Sequence, residues 1–295
     1  MASYRRSYRS RRNVRRTGSY KKRRVTTRRS YGGRRKTWSL GRKRRAPYRA
    51  RRFKRRVLAI SQTKKSDKML GASGAGNIQS IVLPTTGGGV SYNLWSPPTR
   101  EYDSVSDNPQ DRNSADIFFV GWKDVLYVEM SQALVWRRVI FWSYERYEFA
   151  QTVLTTAGTY YRRWEPYQNS FHPEVTEEVL RGTEGVDYDE RWAFDAAIDR
   201  KKVRVIYDKK LVFNPQANNP TVRNFKRWHP IRRKIVFDNP EAGDMLEQGV
   251  WSVESPNSAG NLYVWDMFAH ALSTGPTAGP TSIRTESTVY WRETS

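Results

Sequence analysis

The sequence predicts an all-β domain, a sandwich or barrel, joined to a long basic arm. Three observations carry this. Beyond residue 56 the chain is a series of short apolar runs separated by Gly/Pro/Asn clusters. One segment alone carries helical spacing. The charge, finally, is split into two unequal parts: from Met1 to Arg56 there are 26 Lys and Arg and no Asp or Glu, and the first acid is Asp67. The whole chain has 53 basic and 29 acidic residues, so positions 57–295 hold 27 against 29, and the net charge of +24 belongs to the arm. Many short strands with turn chemistry and almost no helix favour sandwich or barrel layers.

Residues 1–56 are expected to be a disordered arm. Their non-aromatic apolar residues are Met1, Ala2, Val14, Val25, Leu40, Ala46 and Ala50. Burying these cannot offset ordering the backbone, at roughly 1–2 kcal/mol per residue. An Arg- and Ser-rich, acid-free start also suits a mitochondrial transit peptide, but the arm has no spaced aliphatic residues for an apolar helix face.

Residues 57–295 are expected to form one large β domain. Strands are predicted at 57–63, 78–83, 117–130, 135–143, 203–208, 234–238, 250–254, 262–269 and 288–293. Turn clusters such as "PTTGGG" (84–89), "DNPQD" (107–111) and "NPQANNP" (214–220) separate them. "KVRVIYD" (202–208) alternates Val203, Val205 and Tyr207 with charged residues, as a half-buried strand does. "VWRRVIFWS" (135–143) is apolar on both faces apart from Arg137 and Arg138, which places it deep in a sandwich with those arginines in structural roles. The helix expectation falls on "DYDERWAFDAAID" (187–199), where Asp187 and Glu190 have capping spacing.

Chemistry for catalysis is sparse. His172, His229 and His270 lie far apart, and two precede proline, so they are expected in turns or on the surface. No metal-ligand spacing of His appears, and the chain has no Cys. The acids Glu174, Glu177, Glu178, Asp187, Asp189 and Glu190 are better read as a solvated loop and helix start than as an ion site. "GASGAG" (71–76) and "GGG" (87–89) lack the Lys-Ser/Thr of a phosphate-cradling loop. The expectation is therefore a non-enzyme, with no catalytic residues, no metal and no cofactor. No apolar run reaches membrane-span length, and no membrane anchor is expected.

Nucleic-acid chemistry is abundant. The arm has 21 Arg and five Lys, interleaved with Tyr4, Tyr8, Tyr20, Tyr31, Trp38, Tyr48 and Phe53. Arginine forks match phosphate oxygens, and aromatic rings accept unpaired bases. The expected contact residues are Arg42, Lys43, Arg44, Arg45, Arg49, Arg51, Arg52, Phe53, Lys54, Arg55 and Arg56, with Arg223, Lys226 and Arg227 of the folded part. No groove-reading module accompanies them, so binding is expected to tolerate any sequence. "KKRR" (Lys21, Lys22, Arg23, Arg24) and "GRKRR" (Arg42, Lys43, Arg44, Arg45) match nuclear-import patches, which implies host import receptors as partners. A polycation fused to a near-neutral β domain suits a protein that encloses nucleic acid. A ribosomal or chromatin-type protein shares the basic tail, but usually stays basic throughout.

Several segments also resemble the capsid proteins of genomoviruses (gemycircularvirus-like), circular single-stranded-DNA viruses related to geminiviruses. They are "VLAISQTKKSDKML" (57–70), "VGWKDVLYVEM" (120–130) with "VWRRVIF" (135–141), "RGTEGVDYDERWAFDAAIDRKKVRVIYDKK" (181–210), "FKRWHPIRRKIVFD" (225–238), "NLYVWDMF" (261–268) and "STVYWRE" (287–293). Residues 71–115 show no such resemblance. It implies an eight-stranded antiparallel jelly roll of viral capsid type, with at most one or two short helices in loops. It further implies assembly with other copies, sixty in the smallest shell, into an icosahedral virion that packages circular single-stranded DNA in the host nucleus.

Overall fold

Alternation of apolar and polar residues becomes layering in the computed structural model. It describes residues 53, 61–71, 81–83, 90–100, 102, 110–147, 153–155, 158–160, 167–168, 173–189, 193–215, 220–238, 241–242, 245–246, 249–270 and 281–294. The strands in chain order are β1 (Gln62–Leu70), β2 (Ile81–Leu83), β3 (Ser91–Trp95), β4 (Asp116–Met130), β5 (Leu134–Ser143), β6 (Val153–Thr155), β7 (Gly158–Tyr160), β8 (Tyr167–Gln168), β9 (Arg204–Phe213), β10 (Thr221–Val236), β11 (Glu241–Ala242), β12 (Met245–Leu246), β13 (Asn261–His270) and β14 (Thr281–Thr294).

Two antiparallel sheets hold the eight principal strands. One runs β1-β14-β4-β10, with β2 on β14; the other runs β3-β13-β5-β9, with β8 on β3. Numbering only the principal strands along the chain, the orders are 1-8-3-6 and 2-7-4-5. That is the double Greek key of a jelly roll. The domain is an all-β jelly roll.

Between the sheets, inward residues of both interdigitate. Trp122, Phe119 and Ile117 of β4 and Val289 and Trp291 of β14 meet Ile140 and Trp142 of β5 and Leu262 and Val264 of β13. Toward one end, Leu126, Val128 and Met130 meet Leu134, Trp136 and Phe268. Trp136 stacks on Phe268 with centroids 5.8 Å apart and planes 11° from parallel.

The opposite side of the second sheet is also buried. Val139 and Phe141 of β5 and Tyr263, Trp265 and Met267 of β13 pack under Val175, Val179, Leu180, Tyr188 and Phe194. These belong to a covering segment, 173–203, that includes the helix Pro173–Val179. This explains why "VWRRVIFWS" is apolar on both faces: it is the middle of three layers.

The two arginines inside it face opposite layers. Arg137 forks onto Asp208, at 3.0 and 2.9 Å, and donates to the carbonyls of Ala193 and Ala196, both at 2.8 Å, tying down the covering segment. Arg138 points between the sheets. It forks onto Asp266 of β13 at 2.7 and 2.8 Å and reaches Asp124 of β4 at 2.5 Å. All three side chains are at most 2 % exposed. Burial alone would lower the Arg138 pKa, but Asp266 and Asp124 outweigh it and hold the guanidinium charged. Trp136 Nε1 donates to Asp266 at 2.8 Å, and the Ser287 hydroxyl of β14 donates to Asp124 at 2.8 Å.

Several sequence expectations need correction. The helix expected at 187–199 is absent among the described residues there; 185–187 form a turn flanked by a bridge between Glu184 and Tyr188. Asp187 caps instead its own tight loop, accepting from the Thr183 amide at 2.8 Å. β1 occupies 62–70; of the strand expected at 57–63, residues 57–60 lie outside the described residues. Most of β10 was not expected, because Pro230 and its many charges disguise a strand, and β3 was not expected at all. The segment 250–254 contributes one bridge, Phe237 to Ser252, rather than a strand. His229 is neither in a turn nor on the surface: it is buried in β10, stacked on Trp122 at 4.5 Å.

Replacing Arg138 with Met should strand two buried carboxylates and cost about 3–5 kcal/mol. Adding Asp124→Asn and Asp266→Asn should recover a large part of that. Urea denaturation of the three proteins checks it; an unchanged midpoint in Arg138→Met would show that the cluster does not hold the sheets together.

Candidate nucleic-acid interface

The first sheet differs from the second in having one face that no described segment covers. Its outward residues are those in alternate phase to the core. Register sets them in rows across β1, β14, β4 and β10. Lys64 lies opposite Arg292, Tyr290 opposite Gly121, Thr288 opposite Lys123, and Lys123 in turn opposite Trp228. Lys226 follows two residues along β10, on the same face as Trp228.

Gly121 creates a gap in this face. Both neighbouring ladders shift register beside it, between Tyr290 and Trp291 on β14 and between Pro230 and Arg233 on β10. Its φ of +144° and the closeness of β10 both demand glycine, since a Cβ there would lie 2.1 Å from the His229 carbonyl oxygen. With no side chain at 121, Tyr290 and Trp228 meet across β4, centroids 5.5 Å apart and planes at 66°. A groove of about 500 Å³ forms here, lined by this pair, Val120 and the cations Lys64, Lys123, Lys226 and Arg292, with Lys65, Arg227 and Trp291 beneath.

The cations on this face are largely uncompensated. Lys68 is paired with Glu286 at 2.8 Å, and that hydrogen bond raises its pKa. Lys64, Lys123, Lys226 and Arg292 have no ion pair among the described residues. By contrast Lys65, one residue from Lys64 but facing the core, lies 3.4 Å from Glu293 and donates to the Asp111 carbonyl at 2.8 Å.

The residues expected from sequence to touch nucleic acid fall in different places. Arg42, Lys43, Arg44, Arg45, Arg49, Arg51, Arg52, Lys54, Arg55 and Arg56 lie outside the described residues, as do the import patches, and Phe53 is exposed. Lys226 is exposed on the open face. Arg223 is exposed, but in the phase of Phe225 and Arg227, opposite buried Val128. Arg227 turns toward the interior, its guanidinium 5.6 Å from the Tyr207 ring and 5.9 Å from Trp136. Its pKa is lowered, first by burial and then by Arg138. Lys202, Arg204, Arg233 and Lys234 meet in a second groove of about 440 Å³ beside Ser258. Its lysines are engaged: Lys234 pairs with Asp116, and Lys202 donates to the Glu177 carbonyl.

Lys64, Lys123, Trp228, Tyr290 and Arg292 are the residues that sequence reasoning missed as a site. Lys123 in "VGWKDV" and Tyr290 and Arg292 in "STVYWRE" each stand in alternate phase to a neighbouring buried Trp, Trp228 in "KRWHP" to buried His229, and Lys64 to buried Lys65. That phase becomes legible once the strands are assigned. Among the described residues no group of three or more His, Asp or Glu is placed to hold a metal ion. The acids of the covering segment serve it locally; Glu178, for instance, accepts from Ser143 at 2.6 Å and from the Tyr147 hydroxyl.

No family model matches the chain, and no curated protein matches it in sequence. Among solved structures it is similar to apo VP1 of New Jersey polyomavirus, 10% identical, with 79% of this chain and 98% of that one covered and a TM-score of 0.17. VP1 of Merkel cell polyomavirus, solved with GD1a oligosaccharide, is 9% identical, with 79% and 95% covered and a TM-score of 0.16. The assignment of the jelly roll rests on strand order rather than on these likenesses.

Gly121→Ala should cost about 1–3 kcal/mol, because it combines backbone strain with a collision against β10. Gly185→Ala, at φ +77° with nothing within 4 Å of the new Cβ, isolates the strain alone and should cost less. Equal thermal shifts in the two variants would mean that close packing at Gly121 does not matter.

Proposed function

We propose that this protein is a structural, non-catalytic capsid subunit. Residues 57–295 form the shell domain and self-assemble into a small icosahedral particle; residues 1–56 form the arm that condenses packaged single-stranded DNA through sequence-tolerant phosphate contacts. One observation carries it: a jelly roll whose uncovered sheet face bears unpaired cations continues, at the sequence level, into an acid-free stretch of 26 cations. A jelly roll supplies protein contacts, and a polycation supplies polymer contacts. Single-stranded DNA as the cargo, and entry into the host nucleus through the patches at Lys21–Arg24 and Arg42–Arg45, are supported by the sequence resemblance. In a shell of sixty copies, the arms would offset on the order of 1,500 phosphates, comparable to a short single-stranded genome.

Electron microscopy of the purified full-length protein should show uniform closed particles. A chain starting at Val57 should still associate, since the residues it retains sum to −2 and repel one another less. When both forms are assembled with single-stranded DNA, the absorbance ratio of the particles should fall sharply for the armless form. Armless particles with the full complement of DNA would refute this division of labour.

A further inference from the structure

The open-face groove has a chemistry that phosphate binding alone does not require. Trp228 is 47% exposed, and its ring stands against Tyr290 in a groove rimmed by four cations without carboxylate partners. Cations suffice to hold a phosphate chain; paired aromatic rings add a platform for flat, apolar groups. The volume, about 500 Å³, lies in the roughly 300–1,000 Å³ range of small-ligand sites. Register spreads the charges to both ends: Lys64 and Arg292 sit two residues beyond Tyr290, while Lys123 and Lys226 sit beside and beyond Trp228. At about 3.3 Å per residue the cations span roughly 20 Å, the reach of a few nucleotides.

We propose that this groove is a base-stacking site for single-stranded nucleic acid, with an unpaired base on the Trp228–Tyr290 pair and the flanking phosphates on Lys64, Arg292, Lys123 and Lys226. It rests on the nucleic-acid part of the function proposed above and not on shell assembly. The occupant is single-stranded because a duplex keeps its bases paired and stacked, out of reach of a ring inside a groove, and offers only phosphates. The site therefore adds to the folded domain a preference for single strands that phosphate contacts lack. Trp228 and Tyr290 leave the core untouched, since both rings stand on the outer face while their neighbours His229 and Trp291 fill the interior.

The test uses the full chain with oligodeoxythymidylate and with a duplex of equal length, in salt raised until the contacts of the arm are weakened. Trp228→Ala should lower single-strand affinity by about 5- to 100-fold, the loss expected for one stacked base. Duplex affinity and the salt slope should stay unchanged, and Trp228→Phe should keep most of the binding. Lys123→Gln with Lys226→Gln should instead reduce the salt slope by about 0.7 per residue. A bromouracil-substituted strand should photocrosslink to Trp228 or Tyr290. Equal binding by wild type and a Trp228→Ala, Tyr290→Ala double variant, or equal losses on both DNAs, would overturn the site. Crosslinks confined to residues 1–56 would overturn it while leaving the role of the arm intact. Crosslinks at Trp228 in a protein whose armless form packages a full DNA complement would support the site and sink the arm.

Discussion

The sandwich depends on two adjacent arginines that face opposite ways. A strand places neighbouring side chains on opposite faces, so Arg137 and Arg138 serve different layers from one point in the middle sheet. Arg138 brings Asp266 of its own sheet and Asp124 of the other to one buried guanidinium, and Asp124 is also held by Ser287. Arg137 takes two carbonyls and Asp208 on the far side, and so fixes the covering segment. Hydrophobic burial around both supplies the driving force without direction. The charge cluster supplies register, because slipping β13 or β4 by one residue against its neighbouring strand would turn Asp266 or Asp124 to the other face and leave a charge unpaired in the core.

That middle position explains the contrast between the two sheets. In the second sheet β5 and β13 are buried on both faces, so they are apolar nearly throughout. The first sheet is buried on one face only, so β1, β4, β10 and β14 alternate, and their outward positions are free of packing demands. On that face the constraint comes instead from Gly121. The same missing side chain that lets β10 approach β4 clears the space in which Trp228 and Tyr290 meet. A requirement of backbone packing and the shape of the groove are thus one feature.

Strong hydrophobic runs were legible in the sequence, and charged strands were not. β4, β5 and β13 are read within a residue or two, since Trp, Phe, Ile and Val leave little alternative. The structural role of Arg137 and Arg138 was also readable, because two cations inside an apolar strand need internal partners. β1, with "TKKSDKM", and β10, with "VRNFKRWHPIRR", were hidden. Their core phase includes Lys65, Asp67, Arg227 and His229, polar residues that become acceptable only beside partners from distant strands, such as Glu293, Arg100 and the aromatic rings around Arg227. The helix expected at 187–199 failed for a related reason. Its Tyr188 and Phe194 pack on β5 and β13 as an irregular cover, and tertiary burial overrode local spacing. The groove could not be read before the strands, because it is made of one or two outward residues from each of four.

A net charge of −2 for residues 57–295 conceals a division within the sandwich. Of the carboxylates on the principal strands, Asp67, Asp124, Asp266 and Glu293 are drawn inside, each against an interior cation. Many others sit on the covering segment, whose described residues hold eight acids (Glu174, Glu177, Glu178, Glu184, Asp187, Asp189, Asp195 and Asp199) against four cations (Arg181, Arg200, Lys201 and Lys202), with Asp195 paired to Lys210 of β9. That segment lies on the far side of the second sheet. On the far side of the first sheet Glu286 is taken up by Lys68, and Lys64, Lys123, Lys226 and Arg292 have no ion pair among the described residues. Among the described residues the covering segment is thus net acidic, while the open face keeps cations without ion pairs. An anionic polymer is attracted to unpaired cations and repelled by carboxylates, so, under the function proposed above, the orientation of the domain on nucleic acid would follow from where its acids are placed as much as from its cations.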